Sequence, residues 1–404
     1  MMFGQARARA LWAAAVLSIA APAVAQDAAP TPMIVEKEVF TLPSYTTVGG
    51  ETIRDVRIGW EAYGTLNEAR DNVILVTHFF SGTSHAAGKY SADETASGYW
   101  DSIIGPGKAV DTDKYYVISS DTLVNLNVGN PKVTTTGPAS INPDTGERWG
   151  MDFPVVTIAD FVNVQKALLD ELGIERLHAV MGASMGALQA YEWAARYPDM
   201  VDRVIAVIGS GYSNAFLIGW LDIWAAPIRL DPKWKGGDYD PADPPIDGLT
   251  EALKIVTLQS NHWKFIDTTH GRRPADPAND PAAMMDNPFA VEAWLERTAR
   301  ARAATADANH FLYLVKANQL FAAGNGDPVE GLAAIDAPVL LVYAPDDLVF
   351  FPEQVRETAT LISYDGTPVQ QVELAGPLGH LNGVLFIDDA APEIRAFLAA
   401  DAAK

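Results

Sequence analysis

The sequence predicts an α/β fold: a mostly parallel sheet covered by helices on both faces, with an inserted helical lid. Three observations carry this expectation. Short apolar, β-branched runs alternate with segments of helical periodicity early in the chain, the order that builds parallel sheets from crossover units. The alternation stops near residue 212 and returns near residue 338. Between those points lie tryptophans, helical stretches and a Pro-rich break, with no clear strand.

Taken in chain order, Arg7 and Arg9 precede an apolar run from Ala10 to about Ala21, and Ala23-Val24-Ala25 fits a small-x-small cleavage site. Residues 1–25 are therefore expected to be a signal peptide, and residues 26–33 a disordered leader. The apolar run falls short of the ~20 residues that span a bilayer. Export to the periplasm or beyond is the resulting expectation, with no membrane span after cleavage.

Residues 34–212 are expected to form the first part of the core. Residues 72–77 (NVILVT) and 114–119 (KYYVIS) read as buried strands. Ile158, Phe161, Val162, Val164, Leu168, Leu169 and Leu172 recur at helical spacing, and Gly173 supplies a stop. Residues 177–181 read as a strand, 185–197 as a helix ending near Pro198, and 204–208 as another strand. Residues 213–329 form the expected lid. Residues 330–404 complete the core, with strands at 338–343 and 369–374 and helices at 353–361 and near 392–400.

Composition excludes several classes of function. The chain has 404 residues, 49% hydrophobic and 20% charged, a globular composition. Its 29 Lys+Arg against 51 Asp+Glu leave a net charge of −22, with no clustered basic patch of the kind nucleic acid requires. The absence of cysteine removes disulfides, thiolate zinc sites and Cys nucleophiles. No H-x-x-x-H or H-E-x-x-H spacing occurs, so no metal is expected. No cofactor is expected either.

The chemical signal is Gly182-Ala183-Ser184-Met185-Gly186, a G-x-S-x-G pattern set between a strand and a helix. A serine on that sharp turn presents its hydroxyl above the sheet. The Met185 N–H then stands at a helix N-terminus, where unpaired donors and the dipole favour negative charge. A nucleophilic serine needs a base, and the base an orienting acid. Of seven histidines, only His380 follows a late strand and a plausible acid. His178 reads as a core histidine, and His262, His270 and His310 as surface residues of the lid. The acid belongs in the loop after 338–343, where Asp347 is the first choice and Asp346 the alternative. The loop after residues 72–77 is rich in small residues, and the Phe80 N–H is assigned as the second oxyanion donor.

Beyond the turn, several stretches resemble the homoserine O-acetyltransferase family of the α/β-hydrolase superfamily. They include IIGPGKAVDTDKYYVISSD at 103–121, GPASINPDTGERWGMDFP at 137–154 and GASMGALQAYEWAARYPDMVDRVI at 182–205. The lid adds DPKWKGGDY at 231–239 and DANHFLYLVKANQLF at 307–321, and DLVFFPEQ follows at 347–354. The resemblance covers roughly residues 35–390. It implies an α/β-hydrolase fold with a helical lid, catalytic Asp and His at Asp347 and His380, an acetyl-CoA donor, and a homodimer formed through the lid.

Two departures from the family shape the functional expectation. Ala225 stands where the family carries an Arg associated with the substrate carboxylate, and Leu381 where it carries an Asp linked to the amine. A zwitterion without paired charges meets a desolvation penalty. The expected pocket, lined by Phe79, Phe80, Ser81, Trp220, Trp224 and Leu381, is mainly apolar and aromatic. An exported enzyme would not meet cytosolic acetyl-CoA. The first expectation is therefore an exported serine acyl hydrolase acting on a neutral or apolar small-molecule ester. An O-acyltransferase of the family's own type, a peptidase using the same triad and a non-catalytic binding protein are the alternatives.

Overall fold

In the computed structural model, residues 32–324 and 326–400 are described. The expected signal peptide and residues 26–31 of the expected leader lie outside them. An eight-stranded sheet runs in the order β1-β2-β6-β3-β7-β8-β9-β10. Strands β3 (Val73–Thr77), β6 (Tyr116–Ser120), β7 (Ala179–Ala183), β8 (Val204–Val207), β9 (Val339–Tyr343) and β10 (Val369–Glu373) are parallel to their neighbours in that group. The edge strands β1 (Glu38–Thr46) and β2 (Thr52–Tyr63) form an antiparallel pair, and β2 joins β6 antiparallel. A separate two-residue pairing links β4 (Ile104–Gly105) and β5 (Val110–Asp111).

The central strands are buried on both faces. β3 sends Val73 and Leu75 into one core and Ile74 and Val76 into the other. This double burial explains the unbroken apolar runs of the central strands. On one face lie α1 (Ile158–Glu171) and α2 (Met185–Arg196), with Phe161, Leu168, Leu188 and Trp193 in the first core. On the other lies α11 (Ala391–Ala399), which adds Ile394 and Leu398 to the second. Helix α1 starts at a capping box in which Thr157 and Asp160 satisfy each other's backbone donors.

Strands β1 and β2 are absent from the sequence reading for a physical reason. Their pairing skips Pro43 and Asp55, and Asp55 sits at φ 54. The buried residues of β2 therefore run Ile53, Val56, Ile58, which breaks the two-residue alternation that marks a strand.

Among the described residues, six α-helices lie between β8 and β9: α3 (Ala215–Leu230), α4 (Ile246–Ser260), α5 (Trp263–His270), α6 (Ala290–Ala303), α7 (Ala308–Gln319) and α8 (Pro328–Ala333). After β9 come α9 (Pro352–Ile362) and the short α10 (Asn382–Leu385). The inserted helices are tied to the carboxyl ends of the strands. The His262 N–H donates to the Leu378 carbonyl at 3.1 Å, and Gln259 Nε2 to the Leu348 carbonyl at 3.0 Å. Among the described residues, no helix is long and apolar enough to cross a membrane.

Candidate active site

Ser184, Asp347, His380 and Phe80 all follow the carboxyl ends of parallel strands, where loops of an open α/β sheet form crevices. Ser184 caps β7 before α2 with φ 55 and ψ −121, a conformation a non-glycine residue adopts only when its surroundings enforce it. The enforcing contacts are close. A Cβ on Gly182 would lie 2.2 Å from Thr77 Oγ1, and one on Gly186 would lie 2.1 Å from the Thr77 carbonyl oxygen. Thr77 Oγ1 itself donates to the Gly186 carbonyl at 2.8 Å. The two glycines thus let β3 press against the turn.

The side chains of Ser184, His380 and Asp347 converge. His380 Nε2 lies 3.0 Å from Ser184 Oγ, and its Nδ1 lies 2.8 Å from Asp347 Oδ2. The other carboxylate oxygen, Asp347 Oδ1, accepts the Val349 and Phe350 N–H groups at 2.7 and 3.0 Å. Asp346 points elsewhere: its carboxylate is exposed and lies 3.5 Å from His262 Nε2. All three converging residues are buried, and the His380 ring lies 5.9 Å from that of Phe350.

The Phe80 and Met185 N–H groups have no acceptor within hydrogen-bonding distance among the described residues. Met185 opens α2, so its N–H is one of the helix's unpaired donors. The loop carrying Phe80 is fixed by buried amides. Asn125 Nδ2 donates to the Gly82 carbonyl at 3.1 Å, and Asn127 Nδ2 to the Ser81 carbonyl at 2.9 Å. His78 is buried, and that burial holds its pKa below the usual histidine range. Its Nδ1 faces the Phe79 carbonyl at 2.8 Å and its Nε2 faces Asn125 Nδ2 at 3.2 Å, which fits the neutral ring with the proton on Nδ1.

Farther along the loop, Ser84 Oγ donates to Glu61 Oε1 at 3.0 Å, and the Ser84 N–H to Asp121 Oδ1 at 2.9 Å. Lys37 bonds Ser84 Oγ and pairs with Glu61 and Asp121. Burial pushes the Glu61 carboxyl up, but the His85 hydrogen bond and the Lys37 charge outweigh it and leave the pKa low.

A cavity of about 510 Å³ opens over Ser184 and His380. Phe79, Phe80, Ser81, Trp224 and Leu381 line it, among other residues. Trp220 does not. Its ring packs edge-on against Phe216, which in turn meets Phe351, and these contacts draw it away from the cavity. His262, His270 and His310 also depart from expectation, since all three are buried. His310 is buried because it joins the inserted helices to the core, with Nε2 accepting the Ala139 N–H at 3.1 Å. His178 is only partly buried, with Nε2 2.9 Å from the Leu398 carbonyl.

The sequence reading missed Arg302, the one Lys or Arg among the described residues lining the cavity. Its signal was a four-residue spacing: Trp294, Thr298 and Arg302 lie along one face of α6, and all three line the cavity. No cluster of His, Asp or Glu able to hold a metal ion occurs among the described residues.

Comparison with known proteins places this geometry. Residues 124–383 match the family model for the alpha/beta hydrolase fold. The homoserine O-acetyltransferase of Methanosphaerula palustris is 41% identical over 332 residues, covering 82% of this chain and 66% of that protein. This chain thus spans about two thirds of that relative's length. The crystal structure of homoserine O-acetyltransferase from Bacillus anthracis is 38% identical with a TM-score of 0.88, covering 92% of this chain and 100% of that one. The crystal structure of esterase E22 is 50% identical with a TM-score of 0.87, covering 90% and 100%.

These findings correct the expectation of an acyl hydrolase, because the homoserine O-acetyltransferases match over most of the chain. That expectation rested on the apolar residues at two family positions and on export, and it did not include Arg302. Ala225 and Leu381 do leave two positions apolar, but Arg302 enters the cavity from another helix.

Proposed function

We propose that this chain, which belongs to the homoserine O-acetyltransferase family of the α/β-hydrolase superfamily, is an O-acyltransferase that moves an acyl group onto the hydroxyl of a small acceptor. The carrying observation is the convergence of Ser184, His380 and Asp347, with Ser184 and His380 lining a cavity of about 510 Å³. The relatives' names supply acetyl as the first acyl group to test and homoserine as the first acceptor.

In this reading Ser184 Oγ attacks the acyl carbonyl carbon as His380 Nε2 takes its proton. Asp347 holds the imidazole by Nδ1 and stabilises the cation that forms. The Phe80 and Met185 N–H groups receive the oxyanion, each donor commonly worth about 3 kcal/mol. The carbon–leaving-group bond breaks, and the His380 proton passes to the departing alcohol or thiol. The acceptor hydroxyl then gives its proton to His380 and attacks the acyl-enzyme. The Ser184 ester bond breaks, and the proton returns to Ser184.

The test is to supply acetyl-CoA with homoserine or short hydroxy acids and follow thiol release and acylated product together. The chain has no cysteine, so a thiol reagent reads only free CoA. Acceptor-dependent release with one acylated product per thiol supports the reading. Release that ignores every acceptor and yields only acetate overturns it.

A further inference from the structure

Arg302 lies in the last turn of α6 and lines the cavity. Nη1 donates to Thr257 Oγ1 at 2.8 Å and Nη2 to Ser81 Oγ at 3.2 Å. Both acceptors are neutral hydroxyls, so a side chain with five N–H donors keeps several unspent. Arg300, one residue removed on the same helix, is different: it pairs with Glu296 at 2.7 Å and Asp247 at 2.9 Å. No carboxylate lies within ion-pair distance of Arg302 among the described residues. A guanidinium withdrawn from water without a counter-charge is costly, and burial holds its pKa below the usual arginine value.

The rest of the wall sharpens the point. Among the described lining residues there is no Asp or Glu, and Leu381 adjoins His380. An ammonium group entering the cavity finds no anion to pair with, whereas a carboxylate finds Arg302. Arg302 is also one hydrogen bond from Ser81, the residue after the candidate oxyanion donor Phe80, so a group held there lies beside the reacting carbonyl. The acetyl group of the relatives' names carries no charge, which leaves the anion to the acceptor.

We infer that Arg302 binds the carboxylate of the acyl acceptor, and that the acceptor class is a hydroxy acid recognised through its carboxylate alone, with no site for an amine. This rests on the transferase reading given above. Planar guanidinium and carboxylate can meet through two parallel hydrogen bonds, a geometry lysine cannot reproduce.

The test compares 4-hydroxybutyrate, its neutral amide 4-hydroxybutyramide, and homoserine as acceptors for the acetyl group of p-nitrophenyl acetate. The enzymes are the wild type, Arg302→Met and Arg302→Lys, each checked for folding by circular dichroism. The wild type is expected to favour the carboxylate over the amide at least tenfold in kcat/KM, and to gain nothing from the amine of homoserine. Arg302→Met should collapse the carboxylate-to-amide ratio towards one, mainly through KM, while Arg302→Lys keeps part of it. Equal use of carboxylate and amide by the wild type, or a ratio unmoved in Arg302→Met, overturns the assignment. So does a charge preference that resides in the acyl donor instead.

A binding measurement separates this failure from that of the transferase reading. Calorimetry on Ser184→Ala should show 4-hydroxybutyrate binding that Arg302→Met weakens at least tenfold. Such binding with no transfer to any acceptor overturns the transferase reading and leaves Arg302 as a carboxylate site. Transfer without such binding overturns the Arg302 assignment alone.

Discussion

His380 Nε2 stands 3.0 Å from Ser184 Oγ, although 196 residues of sequence separate them. The contact depends on β7 and β10 delivering their loops to the same end of the sheet. Ser184→Ala removes the proposed nucleophile and should lower acyl-enzyme formation by about 10⁴-fold or more. Labelling with a fluorophosphonate checks this: the wild type carries one adduct on Ser184, and the variant none.

Asp347 and Asp346 are adjacent in sequence and opposite in circumstance. Asp347 is buried, bonds His380 and accepts two backbone N–H groups, whereas Asp346 is exposed. Asp347→Asn should lower kcat by about 10⁴-fold through loss of the imidazole's orientation and tautomer. Asp346→Asn should stay within a few fold of wild type. Steady-state rates with p-nitrophenyl acetate measure both, and equal losses would refute the assignment.

Gly186 lies where β3 meets α2. An added Cβ would stand 2.1 Å from the Thr77 carbonyl oxygen, a backbone atom with little freedom to retreat. Gly186→Ala should therefore destabilise the fold by about 3 kcal/mol, at the upper end of ordinary overpacking costs. The shift in the urea midpoint measures it. A midpoint equal to wild type would show that β3 and α2 part more readily than this packing allows.

Acid should weaken the fold through its buried histidines. His78 and His310 are fully buried, and burial lowers both pKa values. Their folded-state values lie below the unfolded value near 6.5, so the unfolded chain binds more protons between the two. The stability they contribute is whole above about pH 6.5 and declines as pH falls from there. Each group contributes at most about 1.4 kcal/mol per pH unit. Glu192 acts in the opposite sense, because burial raises its pKa and acidification favours its folded form. Unfolding free energies at pH 7.5, 6.5 and 5.5 should fall across the series, and a flat profile would contradict the burial argument.

Much of this arrangement is legible from residue order. The central strands show themselves because double burial makes them unbroken apolar runs, and the turn at Ser184 because Gly182 and Gly186 answer a backbone clash. The edge pair β1–β2 does not, since the skipped residues Pro43 and Asp55 disturb its alternation. Trp220 misleads because composition cannot show which way a helix faces. Trp224, one turn on, lines the cavity, while Trp220 packs against Phe216. Arg302 was hidden by its company. Arg297 and Arg300 lie on the same helix, and only packing shows which of these arginines lacks an acidic partner and faces the cavity.

The central claim is that the acyl group on Ser184 passes to a hydroxyl acceptor. The most direct measurement mixes enzyme with a stoichiometric acetyl donor, observes the Ser184 adduct by intact-protein mass spectrometry, and follows its decay with and without a hydroxy acid. The account predicts that the acceptor accelerates decay in proportion to its concentration and emerges as the O-acetyl ester. Decay at one rate whatever the acceptor, with acetate as the only product, would contradict it.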